Sequence, residues 1–168
     1  MATVKHRLGP RDALYPASAY PQYKSVSGSN FPVESLAFDP DAAESVYFAF
    51  PAVNYGSGNV TARIRWYADT AASGKVSWGA SLAAITPDVD TQDIETKAFG
   101  AEAVANDDHL GTTNQRLHEC TATITGLDSV AAEDWCVLKL RRIATDGTND
   151  TMTGDALVVE IGIEYSDT

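Results

Sequence analysis

The sequence predicts an all-β protein: an eight-stranded antiparallel jelly-roll sandwich carrying an irregular N-terminal arm. Three observations lead there. Apolar residues recur at every second position in short runs, turn residues separate those runs, and no stretch keeps a helical period over the length of a helix. The clearest run is Gly58 to Leu82, where Val60, Ala62, Ile64 and Trp66 alternate with Thr61, Arg63, Arg65 and Tyr67. After the turn residues Asp69 to Gly74, Val76, Trp78, Ala80 and Leu82 continue the same beat. Successive strand side chains point to opposite faces, so the stretch is expected to be a β-hairpin with Trp66 and Trp78 on its buried face.

In chain order, residues 1–30 hold Pro10, Pro16 and Pro21, which fix φ and remove backbone donors, so this segment is expected to be extended or irregular. Tyr15, Tyr20 and Tyr23 recur along it. Phe31-Pro32 opens a domain spanning 31–168. Leu36 and Phe38 mark a short strand, and Asp39-Pro40-Asp41 turns the chain into the strand Val46 to Phe50. Thr86 to Gln92 reads as an acidic loop, Glu95 to Val104 as a weaker strand, and Asn106 to Asn114 as polar surface loop. Arg116 to Thr125 and Trp135 to Ile143 are strands whose inward sets are Cys120, Ala122, Ile124 and Cys136, Leu138, Leu140. Leu157, Val159, Ile161, Ile163 and Tyr165 alternate in the last strand. A nine-strand immunoglobulin-like sandwich is the alternative topology.

The net charge of −11 is uneven: within residues 1–30, Lys5, Arg7, Arg11 and Lys24 face Asp12 alone. A basic, tyrosine-bearing arm on an acidic body is expected to dock on another acidic surface through Lys5, Arg7, Arg11, Tyr15, Tyr20 and Tyr23. Its alternative is to fold back on its own domain. Nucleic acid is not an expected partner, because a phosphate backbone needs a basic stripe. No apolar run reaches the length of a membrane span and no signal-peptide core is present, so no membrane partner and synthesis in a cytoplasm are expected. The sequons at Asn59 and Asn149 are then chance matches. Cys120 and Cys136 read as buried free thiols, with a bridge between neighbouring strands as the alternative.

The chemistry-bearing residues do not assemble into a catalytic motif. His6, His109 and His118 have neither metal-pair nor triad spacing, and no phosphate loop or nucleophile elbow occurs. No enzyme activity, cofactor or metal is expected. The acidic groups Asp88, Asp90, Asp93 and Asp146, Asn149, Asp150 could supply oxygens to Ca²⁺, but solvated turns are the favoured reading. Tyr67 shares an outward face with Arg63 and Arg65, and Tyr47 is similarly placed. That face suits a sugar or a protein interface; a polar sheet face with cross-strand pairs is the simpler reading.

Phe38-Asp39, Glu44 to Phe48, Pro51, Asn54-Tyr55-Gly56, Val60 to Trp66, Ser73 to Gly79, Leu138 to Arg142 and Gly154 to Ala156 together resemble small phage-encoded jelly-roll virion proteins of the capsid decoration, cement or head-fibre kind. The resemblance implies a non-enzymatic structural protein on the outer surface of the head, localised to the virion, with the major capsid protein and like subunits as partners in a homotrimer. The alternative function is a carbohydrate-binding module with a glycan partner, or a tail- or fibre-associated host-recognition protein.

Overall fold

Two antiparallel sheets lie face to face and bury between them the alternate residues of almost every strand. The structure is a computed structural model that describes residues 2–70, 73–111 and 115–167. Two positions of the expected 69–74 turn, 71 and 72, and residues 112–114 of the polar stretch lie outside the described residues. The strands are β1 (Thr3–Leu8), β2 (Gln22–Val26), β3 (Val33–Phe38), β4 (Ser45–Pro51), β5 (Tyr55–Ala68), β6 (Gly74–Ile85), β7 (Ala103–His109), β8 (His118–Ile124), β9 (Trp135–Arg142) and β10 (Ala156–Asp167). A 3-10 turn, Pro10–Asp12, follows β1. Sheet A runs β2-β3-β10-β5-β8, and sheet B runs β4-β9-β6-β7. The jelly-roll sandwich is therefore as expected, with two strands more than the eight read from the sequence.

Both additional strands come from residues 1–30. β1 pairs with β10 from Thr3↔Ser166 to Leu8↔Ile161, and β2 pairs with β3 from Gln22↔Ala37 to Val26↔Val33. β10 is long enough to share one edge between β3, at residues 156–158, and β1, at 161–166, while β5 takes the other edge. The supposed irregular arm is thus part of sheet A. Its prolines sit between the strands, where missing donors cost no ladder bond.

The expected hairpin is corrected too. β5 lies in sheet A and β6 in sheet B, so the two strands face each other across the sandwich instead of pairing. Their inward residues are as predicted: Trp66 and Trp78 are both 0% exposed, with ring centroids 6.3 Å apart edge to face. Alternation locates an apolar face but says nothing about which sheet a strand joins.

Two further expectations give way to tertiary contacts. The strand read at Glu95 to Val104 is displaced to β7, Ala103–His109, which keeps only residues 103–104 of the expected strand and runs into the stretch expected to be loop. Its Asp107 Oδ2 accepts a hydrogen bond from Trp66 Nε1–H at 2.8 Å, so a polar residue is held by a core tryptophan. In β10 the simple alternation fails at Val159. The register with β5 slips between Val158↔Trp66 and Glu160↔Arg65, and this bulge turns Val159 to the outer face.

One buried charge pair fixes the loop before β10. Arg142, 0% exposed, donates to Asp150 Oδ1 at 2.7 Å and Oδ2 at 2.9 Å, and to the carbonyls of Met152 at 2.6 Å and Gly154 at 2.9 Å. Asp150 also accepts the Ser77 amide at 3.1 Å. A buried charge persists only with such complete pairing.

Candidate functional site

On β4, Val46, Phe48 and Phe50 are buried inward, which sends Tyr47 to the outside of sheet B. On β9 the same alternation sends out Trp135, Val137, Lys139 and Arg141. Val137 pairs with Ala83 and Ala49, so small residues floor this face between the aromatic rings. The segment 86–102 crosses above it. Its entry is a turn in which the Thr86 amide donates to Asp90 Oδ2 at 2.8 Å and Asp88 takes a left-handed φ of 63°, which aspartate tolerates. Its exit is clamped where the Gly100 amide donates to Leu82 O at 2.8 Å. There Gly100 and Gly126 bring two backbones so close that a Cβ on either would collide with the other strand.

The result is a pocket of about 280 Å³ lined by Tyr47, Ile94, Glu95, Lys97, Phe99 and Trp135. The rings of Tyr47 and Phe99 lie 5.8 Å apart at 35°. Trp135 is 39% exposed, in contrast to the two core tryptophans. Lys97 is not a free cation: its ammonium bonds Asp128 at 2.9 Å and its stem forms wall. Glu95 stays exposed as a hydrogen-bond acceptor. Sequence reasoning missed this site. The outward parity of Trp135 was readable from Cys136, Leu138 and Leu140, but its meeting with Tyr47 and Phe99 depends on strand pairing and on the crossing segment.

The residues singled out in the sequence fall into three places. Lys5 and Arg7 lie on β1 beside β10, where Lys5 Nζ is 3.5 Å and Arg7 Nη2 3.1 Å from Glu164. Arg63 bonds Glu119 at 2.8 Å and Glu164 at 2.9 Å, and Arg65 bonds Glu119 at 3.0 Å and Glu160 at 2.7 Å. This part of the outer face of sheet A, over β1, β5, β8 and the 160–164 stretch of β10, is therefore a ladder of paired charges. The Arg63 guanidinium holds the Glu164 carboxyl below the usual carboxylate range. Tyr67 stands apart from this ladder, in an apolar groove of about 470 Å³ with Val26, Phe31, Leu117 and Val159. Arg11 pairs with Glu34 through both guanidinium nitrogens on one side and lines an open cleft of about 560 Å³ with Tyr15, Tyr20 and Tyr23.

The histidines serve the fold. His6 Nε2 and the Tyr165 hydroxyl are 3.0 Å apart. His118 stacks on Trp66 at 4.7 Å and accepts the Leu110 amide at 3.2 Å, while His109 Nδ1 accepts the Gly111 amide at 3.0 Å. Burial lowers the pKa of His6 and of His118. Cys120 and Cys136 are buried free thiols, each pushed up to about 12 by burial. Among the described residues no group of three or more His, Cys, Asp or Glu is placed to hold a metal ion. Asp146 and Asp150 have their oxygens engaged, by Asn149 and the 148–149 amides and by Arg142 respectively.

The sequence matches no family model and no curated protein. Among solved structures the chain is similar to a CBM28 carbohydrate-binding module specific for non-crystalline cellulose, at 7% identity over 91% of this chain and 85% of that one, with a TM-score of 0.48. It is similar to a CBM36 module in complex with calcium and xylotriose, at 12% identity over 94% and 98% of the two chains, TM-score 0.47. A third is the Caldicellulosiruptor saccharolyticus CBM27-1 module in complex with mannohexaose, at 6% identity over 98% and 99%, TM-score 0.47. These findings correct the expectation of a capsid decoration or cement protein, since the structures found are carbohydrate-binding modules. The basic docking arm behind that expectation has also gone, its charges being paired within sheet A.

Proposed function

We propose that this chain is a non-catalytic saccharide-binding module whose ligand lies on the outer face of sheet B, against Trp135. The observation that carries the reading is the half-exposed indole of Trp135 in one pocket with Tyr47, Phe99 and the free carboxylate of Glu95. A pyranose ring has an apolar C–H face and a rim of hydroxyls. Aromatic rings offer a flat apolar surface to the first, and a carboxylate accepts from the second. A pocket of about 280 Å³ suits one sugar unit, with neighbouring units of a chain left in solvent. The pocket is pre-formed, because the segment above it is clamped at Gly100, and a pre-formed site lowers the ordering cost of binding.

The test is calorimetric titration with soluble cello-, xylo- and manno-oligosaccharides alongside a glycan array. Wild type is expected to bind at least one class, and Trp135→Ala to weaken that binding tenfold or more. Trp135 opens β9 at the sheet's end, so its removal should leave the melting temperature within about 3 °C. Absence of binding to every glycan, or full binding by Trp135→Ala, overturns the proposal.

A further inference from the structure

One open edge of sheet A lies at β2. β2 is the end strand of its sheet, and among the described residues no strand pairs with it on the side away from β3. Gln22, Tyr23, Ser25 and Val26 are exposed and only Lys24 is half-buried. Exposed edges carry unpaired amides and carbonyls that template a further strand, and proteins commonly guard them with a lysine. Here the one lysine is drawn away from that task. Its ammonium lies over the sheet, 3.1 Å from Asp69 and 3.0 Å from Asp155.

A cavity lies on each side of this edge. Tyr23 pairs with Leu36, a core residue, so it points to the inner side, where the cleft of about 560 Å³ is walled by Tyr15, Tyr20 and Pro21. Val26, three positions on, points to the opposite side, into the groove of about 470 Å³ with Val33, Phe31 and Leu117. Phe31 is 70% and Leu117 59% exposed there. The cleft is pre-organised: Leu14 and Tyr47 exchange backbone bonds at 2.8 and 3.0 Å, and the Ser45 amide donates to Ala19 O at 2.9 Å.

We infer that the free edge of β2 docks an extended segment of a partner protein, which adds to sheet A as a strand and sends alternate side chains into the two cavities. Main-chain bonds to β2 supply affinity, and the cavities supply sequence preference. The tyrosine and proline walls select an aromatic or proline side chain on the inner side, and the valine and leucine walls select an aliphatic one on the outer side. β2 spans five residues, which sets the docked length. The net charge of −11 repels a second copy of this chain and favours an uncharged or basic segment. The site lies on the other sheet from the saccharide pocket and is independent of that reading.

The probe is a library of fluorescent ten-residue peptides with Tyr, Phe or Pro at one parity, Val or Leu at the other, and Lys at the ends, titrated with the full chain. A binder is expected, with affinity falling tenfold or more on Tyr23→Ser and on Val26→Ser, both exposed positions whose variants keep the wild-type melting temperature. N-methylation of the bound peptide at alternate residues should abolish binding at one parity and spare it at the other. That asymmetry is particular to strand addition. No binder in the library, or a binder indifferent to N-methylation at both parities, overturns the inference. Light scattering that shows a dimer of wild type and a monomer of Val26→Ser overturns the choice of occupant in favour of a second copy. Saccharide titrations on the same preparations report on the other pocket separately.

Discussion

Two outer regions of the sandwich, the charged rows of sheet A and the part of sheet B under the crossing segment, are built from the same period-two strands yet end in opposite chemical states. On sheet A, Arg63 and Arg65 of β5 stand between Glu119 of β8 and Glu160 and Glu164 of β10, with Lys5 and Arg7 closing the row from β1. Every one of those charges is answered from a neighbouring strand. On sheet B the central strands put out Val137 and Ala83 beside Lys139, Ser81 and Gly79, and the polar Arg141 is taken up by Glu102 at 2.6 Å. What is left is an aromatic surface under a clamped segment. Outward parity alone does not mark a binding surface. A region whose charges satisfy one another is structural; one that leaves apolar rings exposed, as under the crossing segment of sheet B and around Tyr67 on sheet A, has capacity for a ligand.

The largest expected effect breaks the layer on which both faces rest. Trp66 touches Trp78 across the sandwich, stacks on His118 and donates to Asp107, so Trp66→Ala removes contacts to both sheets. It is expected to cost about 3–5 kcal/mol, which lowers the melting temperature by about 6–20 °C in a chain of this size. Denaturant unfolding checks this, and a variant within about 3 °C of wild type would show that the sandwich does not depend on that cross-sheet contact.

Acid should act next, first on the buried histidines and then on the charge ladder of sheet A. The folded pKa values of His6 and His118 are lowered by burial, so their neutral forms are favoured and their contribution is fully present above the unfolded value of about 6.5. It is lost as the pH falls from 6.5 toward their lowered values. Glu119 and Glu164, held down chiefly by Arg65 and Arg63, contribute above about 4.5 and lose that contribution at lower pH still. Glu44, raised by burial, works in the opposite sense. Melting curves from pH 8 to pH 3.5 should therefore fall in two stages, and His6→Gln combined with His118→Gln should flatten the first. A wild-type melting temperature that holds level from pH 6.5 to 5 contradicts this assignment.

The smallest effect sharpens the contrast. Arg65→Ala removes two rungs of the ladder, but those side chains are about a third exposed, and such pairs are worth about 0.2–1 kcal/mol. Stability should fall by that amount at low salt and by less at 0.5 M salt, with saccharide binding unchanged. Loss of binding in this variant would place the ligand on sheet A.

The faces of the strands were legible in the sequence itself. Val60, Ala62, Ile64 and Trp66, then Val76, Trp78, Ala80 and Leu82, then Cys136, Leu138 and Leu140 are buried as their alternation requires, because a strand's side-chain period is set by the backbone alone. Burial of Ser77, Gly79 and Ser81 on the other face of β6 was not legible. The buried thiols and the turn at Asp146 to Asp150 follow equally local rules. Partnership between strands was not legible, since it depends on residues far apart in the chain. Nothing within residues 1–30 reveals that β10 is long enough to hold β1 and β3 along one edge. Nothing near Trp66 or Trp78 decides that their strands face each other across a core instead of pairing side by side. Asp107 lies in a strand through its pairing with β6, and its carboxylate takes the indole N–H of Trp66, 41 positions away. The candidate site has the same origin. Trp135, Tyr47 and Phe99 each have an ordinary local environment in the sequence, and only the packing of β4, β9 and the crossing segment brings their rings to one place.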